Sequence, residues 1–325
     1  MEFENLRVSW RCKYQMASLK ELAGGTPNLL TGGHRLCAGC GAPIIVRQVL
    51  AVAGRDVVIS CATGCLEVAT SIYPYTSWAV PFIHNAFENA AATISGVESA
   101  YKVLRRRGKL SKDIKFITFG GDGGTYDIGL QSLSGAMERG HRMLYVCYDN
   151  GAYMNTGIQR SSATPRGANT TTSPVGKGLK AGKPQYRKDL TGIMAAHDIP
   201  YVAQVSPYNW RDLTKKVEKA LSVDGPSFIN ALSPCPRGWI TNTPDTIELT
   251  RVAVDTCFWP LYEVEDGRWK VNYKPKEKRP LIDWLKMQGR FKHLFNPENQ
   301  GIIEELQADV NRRWEKLLNK AGESV

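Results

Sequence analysis

Two short apolar runs, residues 115–119 (KFITF) and 143–148 (MLYVCY), each stop at a turn of small and oxygen-bearing residues. The first ends on Gly120-Gly121-Asp122-Gly123-Gly124 and the second on Asp149-Asn150-Gly151-Ala152-Tyr153, with a helix-patterned stretch over 128–139 between them. Runs this short, bounded by turn signals, read as strands buried on both faces. The same alternation continues on either side. Residues 42–53 suit a helix, 56–60 (DVVIS) a strand, and 88–107 a long amphipathic helix stopped by Gly108. Residues 201–205 and 227–232 read as strands around a helix at 209–221. Strands alternating with helices imply an α/β fold with a mainly parallel sheet flanked by helices. Beyond Pro244 the pattern weakens until a polar helix at 302–318. The expected organisation is an N-terminal extension (1–30), one α/β domain (31–245) and a C-terminal extension (246–325), long enough in total to bury a sizeable core.

Ligands of open parallel sheets bind beyond the carboxyl ends of the strands, and both turns lie there. Glycines let the backbone approach a diphosphate closely, and Asp122 offers a hard oxygen to Mg²⁺. The helix beginning near Asp127 aims its N-terminus at the same anion. Asn150, at the next strand end, could complete the metal site with its amide oxygen. A Gly-Asp-Gly turn by itself is common; followed by a helix and by a strand ending in Asn it is far more specific.

The chain has eight cysteines. Without secretory signals they read as reduced thiols. Cys37 and Cys40 form a CxxC followed by Gly41, Cys61 and Cys65 lie in CATGC, and Cys235 lies in SPCP. Cys12, Cys147 and Cys257 stand alone, and Cys147, inside an apolar strand, reads as a packing residue. Four thiolates can hold zinc or an iron–sulfur cluster. A structural zinc site usually gathers two close CxxC pairs, and the second pair is missing here. The spread over distant strand ends favours a cluster and leaves zinc, or no ligand at all, open.

The net charge of +11 is local: residues 160–188 carry seven Lys or Arg and no Asp or Glu, and a second basic stretch runs over 268–292. Solvated loops, or docking of an acidic partner or an anionic cosubstrate, both account for it. No aromatic-interleaved basic module or helix-turn-helix pattern accompanies the charge, so nucleic acid is not the expected partner. The polar region 164–185 is long enough to expect a functional or mobile loop. No apolar run approaches the roughly 18 residues of a membrane span, and the N-terminus shows no apolar leader, so a cytoplasmic chain is expected.

Several blocks between residues 33 and 239 resemble the thiamine-diphosphate-binding (beta) subunit of the pyruvate:ferredoxin, or 2-oxoacid:acceptor, oxidoreductase family. They are GHRLCAGCGAP, ATGCLEVATSIYPYTSW, IHNAFENAAATISG, FGGDGGTYDIGLQSLSGAMERGH, YDNGAYMNTGIQRS and SPCPRGW. The resemblance implies [4Fe-4S] ligands at Cys37, Cys40, Cys65 and Cys235, leaving Cys61 out. It implies Mg²⁺ ligands at Asp122, Asn150 and the Ala152 carbonyl. Gly121, Gly123, Gly124 and Tyr153 then line the cofactor, Asn155 lies beside its reactive thiazolium carbon as the catalytic candidate, and Cys65 touches both cluster and cofactor. Ala42 departs from a glutamate found in some single-chain members, and the CGAP sequence looks like the pyruvate branch rather than the CGHG of the 2-oxoglutarate branch.

The implied activity is oxidative decarboxylation of a pyruvate-type 2-oxoacid to acyl-CoA and CO₂. Coenzyme A is the cosubstrate, and electrons pass through the cluster to ferredoxin or another acceptor. By the same resemblance the chain is inactive alone. A catalytic glutamate on the pyrimidine side belongs to an alpha subunit, and further clusters and contacts to ferredoxin-like and gamma subunits. Alternatives are an aryl 2-oxoacid substrate such as phenylglyoxylate, a non-redox thiamine-dependent lyase subunit with structural zinc, and a basic RNA-binding or scaffold protein.

Overall fold

A computed structural model of the chain describes residues 28–176 and 181–323. Most of the expected N-terminal extension, with Cys12, and Lys177 and Lys180 of the basic loop lie outside the described residues.

Eight strands form one sheet. They are β1 (Val57–Ala62), β2 (Phe82–Asn85), β3 (Lys115–Gly121), β4 (Leu144–Asp149), β5 (Tyr201–Val205), β6 (Ser227–Leu232), β7 (Tyr262–Glu265) and β8 (Arg268–Val271). Their order is β2-β1-β3-β4-β6-β5-β7-β8. Strands β1 to β6 run parallel, and the last two are antiparallel. Every residue of β4, β5 and β6 is buried, which is why these segments read as unbroken apolar runs.

Among the described residues ten α-helices accompany the sheet: α1 (Gly41–Ala53), α2 (Cys65–Thr70), α3 (Ala90–Arg106), α4 (Leu130–Glu138), α5 (Leu190–Ala195), α6 (Trp210–Ser222), α7 (Pro236–Trp239), α8 (Thr246–Asp255), α9 (Leu281–Lys286) and α10 (Gln300–Lys320). Helices α1 and α6 fill one face, where Ile45, Val49, Leu213 and Val217 join Ile59 and Val146 in one core. The other face is covered by α3, α4, α8 and α10, through Ile94, Leu133, Leu249 and Leu317 among others. The result is a three-layer α/β/α arrangement, as the alternating pattern implies. Helix α3 ends where Gly108 takes φ +68°, a backbone conformation open to glycine at no steric cost. No helix of the described residues is long and apolar enough to cross a membrane.

Residues 246–325, expected as an extension, supply two strands of the same sheet and three of its covering helices. The signal for the hairpin is Asp266-Gly267 between YEVE and RWKV: both turn residues have positive φ, 48° and 74°, as a tight two-residue hairpin requires. The short helices α2, α5 and α9, of six residues each, are below the length at which helical periodicity can be read. Trp284, fully buried, ties the C-terminal segment to the core. It stacks on Phe258 at 4.1 Å, meets Trp239 edge-on at 5.8 Å and touches Phe291 at 6.0 Å. Trp284→Ala should therefore lower stability by about 3–5 kcal/mol, read as a fall in the urea midpoint at unchanged m.

Candidate functional site

Strands β1, β3, β4 and β6 are neighbours in the sheet, and their carboxyl ends deliver four loops side by side. In spatial order these carry Cys65, then Gly121 to Gly124, then Asn150 to Ala152, then Cys235. Chain order reverses direction between β1, which pairs with β2 on one side, and β3 on the other. A crevice at such a switch point is where parallel sheets bind ligands. One pocket here is lined by Cys65, Gly121, Gly123, Asn150, Tyr153 and Asn155, with Gly124 and Ala152 also on its wall.

Asp122 is completely buried. Its Oδ1 accepts the Asn150 N–H at 3.2 Å, and its Oδ2 accepts the Ser161 hydroxyl. No Lys or Arg among the described residues makes an ion pair with it. Burial and the neighbouring Asp149 carboxylate push Asp122 well above the usual carboxylate range. Asp149 is compensated differently. Its Oδ2 takes the Arg187 guanidinium at 2.5 Å and the Tyr126 hydroxyl at 2.6 Å, and its Oδ1 takes the Gly151 N–H at 3.1 Å.

The Asn150 side-chain oxygen faces the Ala152 carbonyl oxygen at 2.8 Å and Asp122 Oδ1 at 2.9 Å, contacts between acceptors that no proton bridges. Turning the amide would replace both with N–H donations. The turned amide suits the site without a metal; with a divalent cation bound, the amide oxygen would face it and serve as a ligand beside Asp122. Mg²⁺ holds oxygens at about 2.0–2.1 Å in octahedral geometry, which sets adjacent ligands about 2.9 Å apart. Asp122, Asn150 and Ala152 therefore present an oxygen set of the right hardness and spacing.

The glycines around it are dictated by packing. A Cβ on Gly123 would lie 2.4 Å from the Tyr153 ring, and one on Gly124 would lie 2.9 Å from the Phe87 carbonyl oxygen. Residues Gly123–Ile128 form a π-helical turn before α4, with Gly129 N–H bonded to the Gly124 carbonyl at 2.9 Å. The helix expected from residue 128 thus begins in a wider turn and becomes α-helical from Leu130. Tyr148, also on the pocket wall, has a buried hydroxyl with no hydrogen-bond partner among the described residues. Asn155 is exposed at the rim.

Cys37 and Cys40 bracket a turn closed by Cys40 N–H on the Cys37 carbonyl at 3.1 Å, directly before α1. The turn docks on the loop after β6: Gly41 N–H donates to the Pro234 carbonyl at 3.0 Å, and a Cβ on Gly39 (φ +73°) would lie 2.4 Å from the Thr243 carbonyl oxygen. Cys65 opens α2, and Cys235 precedes α7 with its Sγ accepting the Gly238 N–H at 3.3 Å. Burial pushes the thiols of Cys40 and Cys65 up to about 12 and about 11 and raises Cys235, and mutual repulsion among these and Cys37 adds to each. Four thiols thus share one electrostatic neighbourhood, and they become thiolates only with a compensating cation. Cys61 lies apart, fully buried in β1 with its thiol on the Ala62 carbonyl, and Cys147 is buried in β4.

Several supporting residues carried no sequence signal. Ser161 and Ser162 bond to Asp122 and Asp127. Trp239 Nε1 donates to the Asn150 carbonyl at 2.7 Å, under the buried Arg290 guanidinium 4.1 Å from the indole. The basic loop turns inward in part: Lys183 is buried with Nζ on the Thr164 carbonyl at 2.6 Å, and Arg187 is the partner of Asp149.

The thiamine pyrophosphate enzyme family, C-terminal TPP-binding domain, matches residues 60–231. The chain is 57% identical over 295 residues to pyruvate synthase subunit PorB of Thermotoga maritima, covering 89% of this chain and 91% of that one. It is 55% identical over 288 residues to the same-named subunit of Methanocaldococcus jannaschii, with 88% and 95% covered. Ketoisovalerate oxidoreductase subunit VorB of Pyrococcus abyssi is 45% identical over 291 residues, with 89% and 92% covered. Among solved structures, 2-oxoglutarate:ferredoxin oxidoreductase from Magnetococcus marinus, with 2-oxoglutarate, coenzyme A and succinyl-CoA bound, matches with a TM-score of 0.52 and 21% identity. That match covers 73% of this chain and 82% of that one, a likeness of fold.

The Asp149–Arg187 pair generates a stability prediction. Arg187→Met leaves two uncompensated buried carboxylates and should cost about 3–5 kcal/mol in chemical denaturation of the metal-free chain. Adding Asp149→Asn should restore most of the loss, and strictly additive effects of the two substitutions would show that the pair is not coupled.

Proposed function

Because the chain belongs to the beta-subunit family of the 2-oxoacid:ferredoxin oxidoreductases, we propose that it holds thiamine diphosphate and Mg²⁺ at the ends of β3 and β4 and a [4Fe-4S] cluster on Cys37, Cys40, Cys65 and Cys235. The reaction is oxidative decarboxylation of pyruvate to acetyl-CoA and CO₂, with electrons leaving for ferredoxin. The observation that carries this reading is that Asn150 and Ala152, whose oxygens face each other beside the buried Asp122, line the same pocket as Cys65, one of the four coupled thiols.

Thiamine diphosphate, when bound, supplies a thiazolium carbon that adds to the 2-oxo carbon and takes up the electron pair left by CO₂. The residues of this chain position and shield it. Asp122, Asn150 and the Ala152 carbonyl would hold a metal that neutralises the diphosphate, and the opening N–H groups of the Gly123–Ile128 turn would donate to phosphate oxygens. The orphaned Tyr148 hydroxyl gives the pocket one more donor. Phe87, Tyr153 and Met154 keep water from the wall, and Asn155 at the rim donates a hydrogen bond to the oxygen that gains charge on the substrate. Cys65, on the pocket wall and among the four thiols, would link a bound cofactor to a cluster held by those thiols.

Pyruvate is favoured over a branched-chain 2-oxoacid because the pyruvate synthase subunits of Thermotoga maritima and Methanocaldococcus jannaschii, at 57% and 55%, are more alike to this chain than the ketoisovalerate enzyme subunit at 45%. Family membership sets aside the non-redox lyase and the RNA-binding readings. The relatives are named as subunits. An alpha subunit with the pyrimidine-side glutamate, a ferredoxin-like subunit and a gamma subunit complete the enzyme.

Two measurements test the reading. Cys65→Ser should lose iron and labile sulfide while Cys61→Ser keeps full content, and the reverse would put the wrong member of CATGC on the cluster. NMR-monitored exchange of the cofactor's C2 proton on the isolated chain should stay at the rate of free thiamine diphosphate. Exchange at catalytic rates would place the activating acid within this chain.

A further inference from the structure

Behind the metal-binding turn lies a second, larger cavity of about 490 Å³, between α10 and the segment Cys257 to Tyr262. Its size falls within the range of small-molecule sites. Tyr126 and Arg187 form the partition, since both line this cavity and both hold Asp149 on the other side.

The cavity has two chemically different ends. Its floor is polar within aromatic walls: Thr191, Gln204 and Asn230 sit among Trp259, Tyr262 and Phe258. Asn230 is 1% exposed. Its amide N–H groups donate to Tyr126 and Thr191 at 2.8 and 3.1 Å, while its Oδ1 is buried and accepts no hydrogen bond among the described residues. A buried acceptor left without a donor costs free energy until one arrives. The mouth is cationic. Arg312, Lys316 and Lys320 stand one helical turn apart on α10, exposed, with Arg313 beside them. Arg312 and Arg313 share the single carboxylate of Asp309. Lys316 has no partner among the described residues, and Lys320 Nζ lies 3.9 Å from the Trp269 ring centroid.

A hydrocarbon tail would leave the Asn230 Oδ1 without a donor, and a simple inorganic anion would leave the aromatic walls unused. A flat ring with N–H groups on its edge satisfies the floor, and a phosphate chain satisfies the mouth. We propose that this cavity is a nucleoside-diphosphate site, with the base against Asn230 and the phosphates on Lys316, Lys320 and the Arg312–Arg313 pair. It is separate from the thiamine site and does not depend on that assignment.

The probe is ADP, titrated calorimetrically into the full chain preloaded with thiamine diphosphate and Mg²⁺. Saturable one-to-one binding with a dissociation constant below about 1 mM is expected, with adenosine and inorganic diphosphate each at least about tenfold weaker. The exposed pair Lys316→Glu and Lys320→Glu should weaken ADP at least about tenfold while thiamine content stays unchanged. Coenzyme A, which carries the same nucleoside diphosphate, is run in parallel. Tighter binding than ADP assigns the cavity to the cosubstrate, and weaker binding assigns it to a free nucleotide. No saturable heat up to about 10 mM ADP, or binding that ignores the two charge reversals, overturns the proposal. Loss of ADP binding in Asp122→Ala with the reversals silent also overturns it, because the nucleotide would then sit in the diphosphate pocket.

Discussion

Two carboxylates buried at adjacent strand ends set the terms for everything around them. Asp149 is neutralised from within the chain, by Arg187 and the Tyr126 hydroxyl. Asp122 receives only neutral donors, from Asn150 and Ser161. With an arginine on one acid and only neutral donors on its neighbour, the second is the one at which we propose an outside cation binds. The Asn150 oxygen and the Ala152 carbonyl, within 3 Å of each other and facing that acid, are the remaining parts of the same arrangement.

The sheet order sets the cysteine loops beside this oxygen set. Because β1, β3, β4 and β6 are consecutive in space, the loop with Cys65 lies on one side of the oxygen set and the loop with Cys235 on the other. The CxxC turn reaches them by docking on the β6 loop through Gly39 and Gly41, where any side chain would collide with Thr243 or Pro234. These glycines are packing requirements, and the positions of Cys37 and Cys40 follow from them. On the far side of the partition, Tyr126 and Arg187 face the second cavity, so the residues that neutralise Asp149 also separate two potential ligand sites.

Much of this was legible before any coordinates. The Gly-Asp-Gly and Asp-Asn turns could be read because each is contiguous with the strand that carries it, so strand end and ligand type sit in one short window. The gathering of Cys235 with the CxxC pair could not be derived that way. It depends on β6 lying beside β4 rather than beside β5's far edge, a long-range fact that only family resemblance conveyed. The C-terminal quarter hid for a different reason: its helices are short and its strands have four residues, although Asp266-Gly267 marked the hairpin. The basic loop misled through composition, since charge alone cannot show that Lys183 caps a buried carbonyl or that Arg187 pairs with Asp149.

The central claim is that Asp122 is held for a divalent cation that brings a diphosphate with it. Calorimetric titration of thiamine diphosphate into the assembled, cofactor-stripped complex, with Mg²⁺ and then with chelator, measures this directly. The account predicts binding at least about tenfold tighter with Mg²⁺, and an isosteric Asp122→Asn variant whose weak binding is the same in both conditions. Equal affinity of the unaltered protein with and without the metal, or an Asn variant that keeps the full Mg²⁺ dependence, would contradict it.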